Sequence, residues 1–330
     1  MKLINRILCP TDLSPETDQA LRYSLALAEA NEAELVVCYC AQPGELQAAP
    51  ELAGSGNGEV QHKIQKLFDG SLHRFLAGKS EPSLEWKGLV IEGEDVGDAI
   101  ADAAATQGID LIVMRSRRRP HRAALLGSTA ESVCRTAPCP VLVTHSDERE
   151  WVDKEDIQLA IKRILVAYDF SDYSELALRY GIALAQEHQA ELHLLHVLPP
   201  KSISEPEIAW YPPSKETAYH QAARRLQKAI PSEVSLWCNV KHAVGEGRPY
   251  REVLHYAEKN EIDLISIGAH GAGFGMRALF GSNVDRVLRQ APCPVLVARP
   301  LKPADRTDRA DRTDRNWTNS TNRSYTIGPT

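Results

Sequence analysis

The sequence lacks several features that would assign it to a class of protein at once. No apolar run approaches the ~20 residues that a helix needs to cross a bilayer. The net charge is −6, whereas general nucleic-acid binders usually carry a basic surplus. Neither a Ser-His-Asp arrangement nor the His-Glu-x-x-His pattern of zinc proteases is apparent. These absences predict a protein with no membrane partner, no nucleic-acid partner and no hydrolase machinery of those two kinds.

The sequence also lacks a disulfide framework. Its seven cysteines are odd in number, follow no framework spacing and sit in or beside apolar runs. Cys38 and Cys40 would share one face of a strand, so a metal or redox pair is one interpretation, but buried thiols are the commoner use of free cysteine. The N-terminal segment resembles a first strand more than a signal peptide. A reducing, cytoplasmic location is therefore expected.

What the chain does contain is an internal repeat. Residues 7–14 align with residues 164–171, and residues 137–143 are identical to residues 291–297. The matches extend over most of both halves, so the repeat is a whole domain. They predict the following organisation: a first domain at 1–147, a charged linker at 148–160, a second domain at 161–300, and a low-complexity tail at 301–330 that is expected to be disordered.

Each repeat alternates short apolar strands with amphipathic helices. In the second repeat Ser171 is a plausible N-cap of the first helix, and Ser14 has the same place in the first repeat. Five strands alternating with helices predict a parallel, doubly wound sheet. The fold class is therefore α/β, with two tandem, Rossmann-like domains of five parallel strands each.

The second repeat contains a glycine-rich stretch between a strand and a helix. The apolar strand 264–267 is followed by Gly268, Gly271 and Gly281, and Ser282 then opens an amphipathic helix. Glycine allows positive φ and close approach of a ligand, and a helix N-terminus favours an anion. The stretch has no Gly-Lys-Ser/Thr of a P-loop. It predicts a phosphate-binding loop of another kind.

The glycine spacing, together with the Ala-Pro-Cys-Pro-Val-Leu-Val run that follows, resembles the universal stress protein family. This resemblance implies an adenine nucleotide alpha hydrolase-like fold with strand order 3-2-1-4-5 in each domain. Ligands of such sheets bind where the strand order reverses. It also implies ATP, together with Mg²⁺, as the cofactor of the second domain. By resemblance, the nucleotide-binding residues are Ala167, Asp169, Val197, Gly268, Gly271, Gly281, Ser282 and Asn283.

Individual roles follow from the same resemblance. Val197 matches the position whose backbone contacts adenine, and Asp169 matches an aspartate near the ribose or a divalent ion. Each assignment has a structural alternative. Asp169 could simply cap its loop, Ser282 could be a plain N-cap, and His270, which lies in the loop, could simply be exposed.

The first repeat departs from this pattern. Arg115 and Arg118 stand where Gly268 and Gly271 stand, and we expect their side chains to fill the space that a nucleotide needs. The first domain is therefore predicted not to bind ATP in the manner of the family. The surrounding arginines could form a different anion site or a degenerate loop that faces solvent or the partner domain; they are Arg115, Arg117, Arg118, Arg119 and Arg122.

Three functional hypotheses follow. The leading one is an ATP-binding regulator of the stress response that acts through its second domain. The second is a slow ATPase or autophosphorylating enzyme, which is less favoured because no general base or charge-clamping lysine is evident. The third is a nucleotide-free module that binds a partner. The two repeats are expected to form an intrachain pseudo-dimer through residues 140–143 and 294–297, and a homodimer of chains is left open.

Overall fold

The computed structural model describes residues 4–41, 62, 66, 84–116, 127–146, 148–152, 159–200, 215–271, 281–300 and 324–327. In the first domain the elements are β1 Arg6–Thr11, α1 Asp18–Ala30, β2 Glu34–Ala41, β3 Trp86–Glu92, α2 Val96–Gln107, β4 Leu111–Arg115, α3 Ser128–Thr136 and β5 Val141–Thr144. In the second they are β6 Arg163–Ala167, α4 Asp172–His188, β7 Glu191–Leu198, α5 Lys215–Ala229, β8 Val240–Glu246, α6 Pro249–Lys259, β9 Leu264–Gly268, α7 Ser282–Gln290 and β10 Val295–Ala298. A last strand, β11, spans Ser324–Ile327.

The strands form one continuous sheet of eleven strands in the order β11-β3-β2-β1-β4-β5-β10-β9-β6-β7-β8. Each domain therefore has the strand order 3-2-1-4-5, and the predicted fold class is confirmed. Within each domain the pairs are parallel. β5 and β10 are antiparallel, with Leu142 opposite Leu296. The two repeats thus join through their last strands, as the pseudo-dimer hypothesis requires.

A hydrophobic core covers each face of the sheet. Side chains alternate along each strand, so Ile7 and Ile164 enter one core while Leu8 and Leu165 enter the other. Both cores contain residues from both domains. Parallel strands buried on both faces explain why the strands appear in the sequence as short, continuous apolar runs.

The helix starts differ between the two domains. Ser171 caps α4 as expected, accepting a hydrogen bond from the Ser174 amide at 3.2 Å. The expectation for Ser14 is wrong, because Pro15–Thr17 form a 3₁₀ turn and α1 begins only at Asp18. We attribute this to Arg115, whose guanidinium donates to the carbonyl of Glu16 in that turn.

The described part of the linker, residues 148–152 and 159–160, is packed against both domains. The Trp151 side chain is 2% exposed, and its ring lies 4.5 Å from that of Tyr23. The Arg149 amide donates to the Pro292 carbonyl at 2.7 Å, and Val152 forms an antiparallel bridge with Leu159. A segment that the charge pattern indicated only as a connection therefore fixes one domain to the other.

The tail departs from its expectation at four residues. β11 pairs antiparallel with β3, with Tyr325 opposite Val90 and Ile327 opposite Gly88. At these residues the open edge of β3 accepts a short strand, whereas the sequence predicts disorder. The remainder of the tail lies outside the described residues. In the part of the chain that the structure describes, no helix has the length and apolar character to cross a membrane.

Candidate functional site

The second domain brings its predicted site residues to one edge of the sheet. β6 and β9 are parallel neighbours, with Ala167 opposite Ile267, so their carboxyl ends meet. Ala167 and Val197 are half-buried near the ends of their strands. Asp169 follows β6, and Gly268 ends β9. The crevice predicted from the strand alternation is therefore formed by residues almost a hundred positions apart.

Asp169 serves its own loop and also borders the glycine loop. One carboxylate oxygen, Oδ1, accepts from the Ser171 amide at 3.1 Å and from its hydroxyl at 2.5 Å. A Cβ atom at Gly271 would come within 2.8 Å of the other oxygen, Oδ2. The loop-capping alternative is thus correct for Oδ1. The other oxygen faces bare backbone at Gly271.

Gly268 is required for a reason that the sequence did not indicate. A Cβ atom there would lie 2.7 Å from the backbone carbonyl carbon of Tyr173, in the first turn of α4. The missing side chain at Gly268 therefore makes room for the first turn of α4 rather than for a ligand. The described glycines with positive φ are Gly108 and Gly247. The expectation of positive φ is therefore wrong for Gly268, Gly271 and Gly281.

The start of α7 is open at the same edge. Gly281 is the N-cap residue and supplies no side-chain hydrogen bond, so the alternative in which Ser282 is the N-cap is wrong. Ser282 and Asn283 occupy the first two helical positions, and both are exposed. The unpaired amides of a helix N-terminus favour an anion.

Aromatic residues beside the crevice were missed by the sequence interpretation. The rings of Phe170 and His196 are 4.6 Å apart, and the Arg225 guanidinium lies 3.7 Å above the Phe170 ring. The ring of His270 lies 5.0 Å from that of Tyr173. His270 is half-buried, not exposed as the simpler interpretation had it, and this burial lowers its pKa. Only the position of Phe170 directly after Asp169 could have indicated this cluster.

The first domain holds a cavity of about 620 Å³ at the equivalent place. Its lining includes Pro10, Asp12, Cys40, Arg115, Gly127, Ser128 and Thr129, which align with Ala167, Asp169, Val197, Gly268, Gly281, Ser282 and Asn283. Arg115 forms part of the wall, and its guanidinium is held by Glu16. The expectation that Arg115 fills this space is therefore wrong. Arg117, Arg118, Arg119 and Arg122 lie outside the described residues.

The cysteines and histidines form no metal site in the described chain. All seven cysteines are free thiols, and six of them are buried. No group of three His, Cys, Asp or Glu side chains in the described residues could hold a metal ion. His193 bonds to the Tyr256 hydroxyl at 3.0 Å, whereas His196 bonds to the Tyr168 carbonyl at 2.8 Å.

The fold is a tandem pair of doubly wound α/β domains, and in sheets of this kind ligands bind at the point where the strand order reverses. The model of the universal stress protein family matches residues 4–145 and 160–299. The chain therefore belongs to that family, in its tandem form.

Individual relatives agree with this assignment. The universal stress protein Rv2623 of Mycobacterium tuberculosis is 26% identical over 304 residues, which cover 89% of this chain and 96% of that protein. The universal stress protein MJ0531 of Methanocaldococcus jannaschii is 30% identical over 139 residues, or 42% of this chain and 82% of that protein. A universal stress protein structure from Archaeoglobus fulgidus is 22% identical with a TM-score of 0.62, covers 90% of this chain and 99% of that chain, and is similar in fold.

Proposed function

We propose that the chain is an ATP-binding regulator of a stress response and that ATP binds to the second domain. The observation that carries this proposal is the bare backbone of Gly271 beside the Asp169 carboxylate, at the same edge as the open start of α7. Bare backbone allows a phosphate chain to approach, and the helix start offers amides to it. In the first domain Arg115 and Arg118 replace the two glycines at the aligned positions, so we propose that this domain binds no ATP in the manner of the family, although Arg115 leaves its cavity open.

The residues of this crevice fit Mg²⁺ as a companion of the nucleotide. Mg²⁺ is commonly held by one or two carboxylates together with substrate phosphates, so a dedicated cage of protein ligands is not needed. Asp169 is the carboxylate that would hold it here. When bound, the ion would neutralise phosphate charge beside that carboxylate. Binding, rather than turnover, is favoured because Asp169 is already engaged by Ser171.

Substitution of Gly271 tests the site. Gly271→Ala places a Cβ atom against Asp169, and Gly271→Arg adds a side chain of the kind found at the aligned position of the first domain. We expect calorimetric titration to show one ATP per wild-type chain, weaker binding in the alanine variant and no binding in the arginine variant. Circular dichroism and thermal unfolding would control for folding.

The outcomes separate the hypotheses. Unchanged affinity in Gly271→Arg, or two ATP molecules per wild-type chain, would contradict the assignment to the second domain alone. A wild-type chain that binds no nucleotide would favour a nucleotide-free module that binds a partner. ADP release in single turnover that is lost in Asp169→Ala would indicate an enzyme instead.

A further inference from the structure

An exposed group of arginines surrounds Tyr250 in the second domain. We call Arg248, Tyr250, Arg251 and Arg286 the arginine rim. Arg251 Nε donates to the Tyr250 hydroxyl at 3.0 Å, and the Arg286 guanidinium lies 4.7 Å from the centre of the Tyr250 ring. The hydrogen bond from Arg251 is the main cause that lowers the pKa of Tyr250, and the nearby Arg248 and Arg286 act in the same direction. The rim therefore gathers three guanidinium groups around one tyrosine ring.

In the described part of the chain no carboxylate pairs with the rim. Among the described residues, none of its three guanidinium groups forms an ion pair. All three arginines are exposed. Like charges that gather on a surface repel one another, and an anion relieves that repulsion. The rim thus has the charge and exposure of an anion-binding surface.

The first domain shows that the fold does not require these arginines. Counting from the starts of α2 and α6, Asp95, Gly97 and Asp98 align with Arg248, Tyr250 and Arg251. Ser132 in α3 aligns with Arg286 in α7. In that domain Asp95 caps its helix by accepting from the Asp98 amide at 2.9 Å, and the Ser132 hydroxyl donates to Asp98.

The two domains also differ in how these helices are capped. Arg248 is the N-cap residue of α6 and makes no side-chain cap hydrogen bond, whereas Asp95 provides one in α2. The second domain thus has a cation where the first has a carboxylate cap, and two positions that are acidic in the first domain are basic in the second.

The position of the rim relative to the crevice follows from the first-domain cavity. Val96 of α2 and the first turn of α3 line that cavity. Their equivalents are Pro249 and the first turn of α7. Arg248 precedes Pro249, and Arg286 lies one helical turn beyond Ser282. The rim therefore adjoins residues equivalent to the cavity lining, on the side of α6; its own first-domain equivalents, Asp95, Asp98 and Ser132, are next to that lining and not among the residues given for it.

We propose that the arginine rim binds a second phosphate of the nucleotide, carried on the ribose. This inference rests on the proposed nucleotide site. If the 5′-phosphates lie against Gly271 and the start of α7, the rim faces another part of the ligand. Once the 5′-hydroxyl carries its phosphates, the 2′- and 3′-hydroxyls of the ribose are the remaining positions for a phosphate ester. Arginines hold such a phosphate in dinucleotide-binding folds. The preferred ligand class is therefore an adenine nucleotide with a 2′- or 3′-phosphate.

The experiment compares ligands that differ in this one group. The full chain is titrated with AMP, adenosine 2′,5′-bisphosphate, adenosine 3′,5′-bisphosphate and inorganic phosphate. We expect one bisphosphate to bind about tenfold more tightly than AMP, since three exposed charge pairs each contribute modestly. In Arg248→Asp/Arg251→Asp/Arg286→Ser, which carries the residues of the first domain, the ratio of bisphosphate to AMP affinity should fall to about one. Arg179→Ser, an exposed arginine on α4, is the matched control and should keep the ratio.

The outcomes distinguish this inference from the function on which it rests. Nucleotide binding with a ratio near one in the wild type would overturn the rim inference alone. No binding of any nucleotide would overturn both. Inorganic phosphate that binds the wild type, is lost in the triple variant and gives no bisphosphate advantage would show that the rim takes free phosphate, which also overturns the ribose assignment. A bisphosphate advantage that shrinks as salt rises would support the inference.

Discussion

Gly268 and Gly281 belong to the same glycine pattern but meet different neighbours. A Cβ atom at Gly268 would lie 2.7 Å from the Tyr173 backbone, whereas one at Gly281 would lie 3.5 Å from its nearest neighbour, the Ala269 carbonyl. A backbone obstacle cannot move aside as the end of a flexible side chain can. The first glycine is thus required by packing, whereas the second is not.

This difference predicts unequal effects of the same substitution. Gly268→Ala should lower the free energy of unfolding by about 1–3 kcal/mol, the usual cost of overpacking a core. Gly281→Ala should change it by less than about 0.5 kcal/mol, as is usual where no such contact exists. Urea denaturation at equilibrium measures both. Equal losses in the two variants would contradict the packing explanation.

At the level of elements, the order and type of the strands and helices could be predicted because the apolar runs repeat and alternate with helical patterns. The start of α1 could not, because it depends on Arg115, which is distant in sequence and contacts Glu16 only in the folded chain. The same holds for the site. Gly271, Asp169 and Ser282 could be placed together from the topology, but the Phe170–His196–Arg225 stack and the first-domain cavity depend on side-chain packing that no local pattern records.

One contact between elements predicts a pH dependence. His193 on β7 is 1% exposed. Its Nδ1 lies 3.0 Å from the Tyr256 hydroxyl of α6, and its Nε2 lies 3.2 Å from a carboxylate oxygen of Glu191. Lys241 and Arg163 lie near the same carboxylate. Burial lowers the pKa of His193 below 6.5 despite the opposing effect of Glu191. The unfolded chain therefore binds a proton before the folded chain does, so stability falls as pH drops below about 6.5.

Urea denaturation at pH 7, 6 and 5 would test this. We expect the loss of unfolding free energy on acidification to be smaller in His193→Gln than in the wild type. The remainder comes from His188, His242 and His270, whose pKa values burial also lowers. His255→Gln, an exposed position on α6, is the control and should keep the wild-type slope. An unchanged slope in His193→Gln would mean that this histidine takes up its proton at the same pH in the folded and unfolded chains, and would contradict the prediction.

At the scale of the whole molecule, the two domains share their structure rather than merely touching. The sheet crosses the boundary at β5 and β10, and both hydrophobic cores draw residues from both halves. Leu142, Leu296 and Trp151 line one small apolar space at this junction. The Arg149 guanidinium of the linker donates to the Ile262 carbonyl at 2.7 Å, and that of Arg299 donates to the Cys134 carbonyl at 2.5 Å. These contacts favour a single cooperative unit over two independent domains.

Such coupling can be measured by perturbing one half and observing the other. Leu226→Ala removes a fully buried side chain from α5 of the second domain and should cost about 2–5 kcal/mol. If the chain unfolds as one unit, hydrogen exchange governed by global unfolding should quicken equally in β1 and β6.

The control weakens the junction between the domains with Leu142→Ala and Leu296→Ala. In that background, exchange in β1 should respond less to Leu226→Ala than exchange in β6 does. A β1 that is unaffected by Leu226→Ala in the otherwise wild-type chain would mean that the halves unfold separately, and that a ligand in the second domain could not reach the first through stability alone.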